Sequence, residues 1–512
     1  MPAILLDENS SNLSPRPSSA PRKVAVIGAG VSGVTATAHL VRYGLDVVLF
    51  ERCAVAGGVW HYDPRPSAEP DFPNVHARAL DDEIARVDWK QGSEAVFAAG
   101  RDDIPVLHAP PGPCYEKLTT NIPSSVMRST LLSWPEGSPE HLDHLSVEGY
   151  INGIAKANNV EAVARYNTRV QDVVKLPGAD VWSVTSTTLR QRGDGSHAIS
   201  RKVEAFDAVV VAAGHYHEPH VPDIPGLDRW KSRFPDRVLH SKRFRNPLPF
   251  KDQNILLIGA AVSAMDIACH LDNHAGKIYR SSRGGKFDIN VSKFPKKTQS
   301  VGEVQAFELQ DNGNPLEGSL SHEQPVPGRV VFKDGTILED VHAVIVATGY
   351  LTTYPFLSGL QSSTVDREHA DEYVVITADA SMVHNLHKDI FYIPDPTLAF
   401  VGVPFHCSTF SLFDFQGEVI ARVLAGLASL PGKDVMREEY NRRKAERGLG
   451  RPFHSLLHDE VPYMDAILNW VNSGVDRGEV RPMSGVDAAW RVSYKKFHDT
   501  TLSGLLTAGE KV

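Results

Sequence analysis

The run Lys23-Val24-Ala25-Val26-Ile27-Gly28-Ala29-Gly30-Val31-Ser32-Gly33 leads into a helix-like stretch ending at Tyr43, then into Val47-Val48-Leu49-Phe50-Glu51. Val24–Ile27 and Val47–Phe50 are short continuous apolar runs, as buried parallel strands require. Gly44 stands where a helix stop is expected. Together they predict a βαβ unit with a GxGxxG loop at its first turn. Gly28 permits the tight turn, Gly30 lets backbone approach a pyrophosphate, and Gly33 lets helix and strand pack closely. The helix N-terminus, at Val31 and Ser32, turns its partial positive charge toward phosphate. Glu51 follows Gly28 by 23 residues, where a carboxylate accepts hydrogen bonds from adenosine ribose hydroxyls. Gly28 to Gly33, Glu51 and its neighbour Arg52 are the candidate dinucleotide contacts of this unit.

A second unit lies downstream. Asn254–Ile258 runs into Gly259-Ala260-Ala261-Val262-Ser263-Ala264, a helix to about His270, and a strand through Lys277, Ile278, Tyr279 and Arg280. Alanine replaces the second and third glycines, and its small side chain still permits close approach. The strand ends on Arg280, Ser281, Ser282 and Arg283 instead of an acid. An acid would repel a 2′-phosphate, whereas arginine and serine bind it. Gly259, Ala261, Ser263, Ala264, Arg280 and Arg283 thus read as an NADPH site; a solvated surface turn is the alternative. Asp207–Tyr216 and His342–Tyr350 are two further buried strands with similar ends. The fold class that follows is α/β, with two Rossmann-like folds, the second inserted in the first.

The length, 512 residues, exceeds what one core accommodates. Expected boundaries are a disordered leader over 1–21, a first FAD-side segment over 22–222, the inserted NADPH domain over 223–338, and a returning segment with C-terminal helices over 339–512. The stretch 63–113 interrupts the first fold and reads as an excursion over the surface, with no secondary structure assigned to it. The net charge of −9 gives no reason to expect a nucleic-acid partner. No run of 18 apolar residues occurs, so no integral membrane segment is expected. The four cysteines, Cys53, Cys114, Cys269 and Cys407, are far apart, which predicts neither disulfides nor zinc and suits the cytoplasm. His215, His217 and His220 alternate like metal ligands but read as a domain-crossing linker with Pro219 and Pro222, so no metal is expected. His406 and Cys407, as sequence neighbours, are not expected to form a thiol–imidazole pair.

With these units in place the chain resembles the flavin-containing monooxygenase family. The family fingerprint, FxGxxxHxxx followed by Tyr or Phe and a basic residue, reads here as Phe234 to Arg245 through His240 and Phe244, with Asp236 in place of glycine. Gly57-Gly58-Val59-Trp60, Leu118-Thr119-Thr120-Asn121, Ala347–Tyr350 and Leu398–Pro404 with Gln416 follow in the family's order. The resemblance implies FAD on the first loop, NADPH on the second, and insertion of one oxygen atom from O2 into a small-molecule substrate through a flavin hydroperoxide. It implies oxygenation of nitrogen, sulfur or electron-rich carbon in specialised metabolism. The related Baeyer–Villiger enzymes usually carry Trp where this chain has Phe244, so ketone oxygenation is the alternative. A non-catalytic redox sensor is another, and a disulfide reductase would need the CxxC pair this chain lacks. Asn121 is implied as the active-site side chain, since an amide both donates and accepts; an Asx turn ahead of Pro123 is its other reading. Gly58, Val59, Trp60, Thr120, His240 and Gln416 complete the implied cofactor contacts. His240 could meet a phosphate or simply satisfy a turn. A homodimer stays open.

Overall fold

Strand Lys23–Ile27 pairs in parallel with Asp46–Phe50 on one side and Ala208–Val211 on the other. This computed structural model describes residues 22–78, 81–89, 93–285, 287–310, 320–473, 481–502 and 504–505; the expected leader lies outside them. Around those three strands the first sheet runs in the order 386–387, 391–392, 398–400, 208–211, 23–27, 46–50, 164–165. Alternate side chains leave a strand on opposite faces, and the two cores follow that rule. Val24, Val26, Val47 and Leu49 pack into one cluster with helices Val31–Arg42 and Phe410–Leu424. Ala25, Ile27, Val48 and Phe50 pack into another with Val173, Trp182, Val184 and Phe206. Gly417 sits where the two helices meet: a Cβ there would stand 2.8 Å from the Ala36 Cα.

The second sheet is wholly parallel, in the order Val238–His240, Ala343–Val346, Ile255–Ile258, Ile278–Ser281, Thr298–Val301. Its faces are also shared: Ile255 and Leu257 pack on Ile267 and Leu271 of helix Val262–Leu271, while Leu256 and Ile258 pack on Trp230 and Phe307. Strand Ala343–Val346 belongs here, so the boundary expected at 338/339 moves beyond Val346. The physical reason is that this strand's hydrogen bonds go to 238–240 and 255–258.

The 63–113 stretch also differs from expectation. It contributes strand Glu94–Phe97 and helix Ile104–His108. The strand adds an edge to an antiparallel sheet with His197–Phe206, Trp182–Gln191 and Thr168–Lys175. Its alternation of exposed and half-buried positions is the weak signature of such an edge.

Candidate functional site

At the first loop, packing explains two glycines and leaves the third to another cause. Gly28 has φ +101°, and a Cβ there would stand 2.7 Å from the Ala212 carbonyl oxygen. A Cβ on Gly33 would stand 1.7 Å from the Gly28 oxygen. Both are demanded by the fold itself. A Cβ on Gly30 would meet only the Gly58 Cα, at an ordinary 3.6 Å, so nothing among the described residues requires that surface to be bare. Gly30 is also the N-cap of helix Val31–Arg42, with no side chain capping it. A bare backbone before an uncapped helix N-terminus is what a pyrophosphate needs. Glu51, buried at the end of the second strand, accepts the Ala29 N–H on Oε2 at 2.6 Å and the Cys53 N–H on Oε1 at 2.8 Å. It therefore ties the loop to the neighbouring strand. The Gly57 N–H donates to the Ala29 carbonyl at 3.0 Å, which seats the turn Gly58–Trp60 against the same loop. Val59 and Trp60 are half-buried there.

The second loop repeats the geometry. Gly259 has φ +124°, and a Cβ there would stand 2.3 Å from the Ala347 oxygen. Ala261 caps helix Val262–Leu271 without a side-chain bond, and Ala261 and Ser263 are exposed. Ala264 is fully buried in the core, where the third small residue of such a loop belongs. The two arginines part company. Arg283 stands exposed beyond the strand end. Arg280 is buried at 5% exposure, with its guanidinium 4.7 Å over the Phe294 ring, and its Nε has no hydrogen-bond partner among the described residues.

Between the two loops lies the 118–123 segment. Leu118 packs on the second sheet's cluster and Ile122 on the first sheet's. Thr120 is buried and fixed, its N–H donating to the Leu142 carbonyl at 2.8 Å and its Oγ1 accepting the Leu142 N–H at 3.1 Å. Asn121, next to it, is exposed. Among the described residues no hydrogen bond to its carboxamide appears. An Asx turn would need the N–H two residues on, and that residue is Pro123, which has none.

Two chain crossings join the sheets. Glu218–Pro219 pairs antiparallel with Tyr350–Leu351. The Arg52 guanidinium donates to Nδ1 of His217 at 2.8 Å, His217 Nε2 bonds the Ala213 carbonyl, and Lys242 Nζ donates to the His217 carbonyl at 2.7 Å. Burial beside Arg52 and Arg245 pushes the Lys242 ammonium down to about 7. His217 is thus spent within the crossing, and His220 bonds Gly349 and Thr348 through its backbone. His240 is fully buried; Nε2–H donates to the Gly349 carbonyl at 3.1 Å and Nδ1 accepts the Lys242 N–H at 3.1 Å. Both ring nitrogens hold backbone, as the turn reading expects. Burial pushes His240 down to about 3, which keeps it neutral. Gln416 is likewise fully buried, accepting the Gly402 N–H at 3.0 Å and donating to Tyr463 Oη at 2.8 Å. It thereby holds the Gly402 turn, which lies against Ser32 of the first glycine loop. Cys407 and His406 find separate partners, Pro404 and Ser455.

Sequence reasoning placed His215 in a crossing and Tyr350 in a family motif, but gave no site role to the side chains gathered there: His215, Tyr216, Tyr350, Phe405 and Arg451. A signal existed for the first three. They follow the two buried strands Ala208–Val211 and Ala343–Val346, just past Gly214 and Gly349, and ligands of open α/β sheets sit at the carboxyl ends of strands. Phe405 and Arg451 come from far along the chain and carry no motif.

Comparisons with known proteins agree with this geometry. The flavin-binding monooxygenase-like family matches residues 112–297 and 324–477, and an NAD(P)-binding Rossmann-like domain matches 26–78. Flavin-containing monooxygenase ustF2 of Aspergillus flavus is 39% identical, covering 91% of this chain and 95% of its own. Flavin-containing monooxygenase iboF of Amanita muscaria is 30% identical, covering 88% of each. The solved S-allyl-L-cysteine S-oxygenase of Allium sativum superposes with a TM-score of 0.66 at 25% identity, covering 95% of this chain and 96% of its own. With both nucleotide loops built, the chain belongs to the flavin-binding monooxygenase-like family, a group of FAD-dependent, NADPH-consuming monooxygenases.

Proposed function

We propose that this monooxygenase transfers an oxygen atom to sulfur or nitrogen of a small specialised metabolite, with FAD on the Gly28–Gly33 loop and NADPH on the Gly259–Ala264 loop. The observation that carries it is Gly30, bare without a packing reason beside an uncapped helix N-terminus. When bound, FAD supplies the oxygen-transfer chemistry and NADPH the reducing equivalents. The chain's own residues bind, orient and exclude water. Gly28, Ala29, Gly30 and the helix N-terminus receive the FAD pyrophosphate. Glu51, tied to Ala29, fixes the loop and offers its remaining lone pairs to the ribose, with Arg52 beside it. Gly58 to Trp60 walls the loop. Arg283 receives the 2′-phosphate that distinguishes NADPH. Arg280, stacked on Phe294, supports the strand end and offers an unpartnered Nε. Asn121, with a free carboxamide on the rigid Thr120 loop, orients the nicotinamide side of the cleft.

Reaction at sulfur or nitrogen is preferred to ketone oxygenation because the similar garlic enzyme is an S-oxygenase. Phe244 does not decide the question directly. It is buried, its ring 5.9 Å from Phe250 and 5.3 Å from Tyr115, so it shapes the core and not the cleft. No helix among the described residues is long and apolar enough to cross a membrane, and four free cysteines suit the cytoplasm as the place of action. The test is a panel of thioethers, tertiary amines and cyclic ketones with NADPH and air. Sulfoxide or N-oxide is expected. Lactone from the ketones, with no sulfoxide or N-oxide, would reverse the assignment.

A further inference from the structure

Arg451 opens the short helical turn Arg451–His454 and reaches back to the crossing between the sheets. Its guanidinium carbon lies 5.5 Å from the centre of the Phe405 ring. One Nη lies 3.2 Å from where a Cβ on Gly349 would stand. No carboxylate of the described residues pairs with it, and none accepts a hydrogen bond from it. Its side chain is exposed, yet its surroundings are not an ordinary solvated face. His215 stacks edge-on against Tyr216 at 4.4 Å and against Phe405 at 6.5 Å, and Phe405 lies 5.0 Å from the His406 ring. Tyr216 keeps 39% of its surface exposed although its ring is flanked by His215 and Tyr350.

The charges of this wall are uneven. Burial, with the Arg451 charge adding to it, pushes His215 and His406 down to about 4. At neutral pH the rings beside Arg451 are therefore uncharged. A cation fixed among neutral aromatic rings, without a protein carboxylate, has its charge available for a ligand anion. The 2′-phosphate of the dinucleotide is assigned above to Arg283, which leaves Arg451 without an assigned anion. The aromatic rings come from the first sheet's crossing and from the 405–406 loop, which favours an occupant with an apolar body and one anionic end.

We propose that Arg451, with Tyr216 and Phe405, forms a substrate subsite that recognises a carboxylate on the molecule to be oxygenated. The inference rests on the reading of sulfur or nitrogen as the oxidised atom. It implies that the substrate is an amino-acid-like or aryl acid, with the acid held at Arg451 and the soft atom turned toward the cofactor cleft.

The test compares para-(methylsulfanyl)benzoate, its methyl ester and methyl phenyl sulfide as substrates of the full-length holoenzyme. Sulfoxide formation and the Michaelis constant for NADPH are measured for wild type, Arg451→Ala and Arg451→Lys. In wild type the acid should exceed its ester in kcat/KM by about tenfold or more, the size of a charge-assisted contact. Arg451→Ala should collapse that ratio toward one, and Arg451→Lys should restore part of it. An acid no better than its ester in wild type overturns the inference while leaving sulfur oxygenation standing. An unchanged ratio in Arg451→Ala, with a raised Michaelis constant for NADPH, also overturns it and assigns Arg451 to the dinucleotide phosphates. NADPH consumption without sulfoxide from any of the three, and without N-oxide from a tertiary amine, overturns the sulfur-or-nitrogen reading, and this inference with it.

Discussion

A Cβ added at Gly30 has room within the protein, and one added at Gly33 has none. The two alanine variants should therefore fail differently. Gly33→Ala should give little folded protein, because its methyl would overlap the Gly28 carbonyl. Gly30→Ala should fold and show a cooperative thermal transition, yet purify with a much reduced ratio of flavin to protein absorbance. Full flavin content in Gly30→Ala would remove the FAD assignment from this loop. Asn121 makes a separate prediction. Its exposed carboxamide supports no local backbone, so Asn121→Ala should leave the melting temperature within about 1 °C, as surface changes usually do. It should keep oxidising NADPH while the ratio of product to NADPH falls and hydrogen peroxide appears. Unchanged coupling would leave Asn121 with no catalytic part. Gly28 and Gly33 were legible in the sequence because a turn and a close helix–strand contact each leave no room for a Cβ. His240 and Gln416 were not, because a polar residue in a family motif can serve the ligand or the backbone, and only burial decides which.

Strand ends and loops carry the next set of consequences. Arg280 and Arg283 look equivalent in sequence, but strand alternation and the turn after Ser281 send one to the Phe294 ring and the other into solvent. Arg283→Ala should raise the Michaelis constant for NADPH by about tenfold and barely move that for NADH. Arg280→Ala should lower stability, since it removes a buried ring contact. Equal effects on both cofactors from Arg283→Ala would detach it from the 2′-phosphate.

The loop 405–409 rests on Glu460, whose carboxylate accepts the Ser408 N–H at 2.9 Å on each oxygen. Burial raises the Glu460 carboxyl from 4.5 to about 7. Between those values the folded chain keeps a proton that the unfolded chain releases, so this contribution is fully present below the unfolded value of 4.5. It is lost as pH rises toward 7 and is gone above it. A neutral Glu460→Gln chain lacks that term. Its melting temperature should fall less than that of wild type between about pH 4.5 and 7. Parallel curves would show that Glu460 does not hold the proton.

Across the whole molecule, the paired parallel sheets were legible because strands buried on both faces read as unbroken apolar runs. Val24–Ile27, Ile255–Ile258 and Ala343–Val346 are all of this kind. The antiparallel sheet carrying Glu94–Phe97 was not legible, because its edge strand shows only half-buried alternation and its partner at 197–206 lies a hundred residues on. The contact of Arg451 with the Phe405 ring was hidden for the same reason: tertiary packing, not local pattern, brings it to the crossing. What unites these parts is two nucleotide loops serving one oxygen transfer. The most direct measurement supplies oxygen-18 gas and NADPH to the purified yellow enzyme with an oxidisable thioether. The account predicts one labelled oxygen atom in each sulfoxide molecule and one NADPH consumed per product. Product carrying unlabelled oxygen from water, or NADPH oxidised with no oxygenated product from any sulfur or nitrogen substrate, would contradict it.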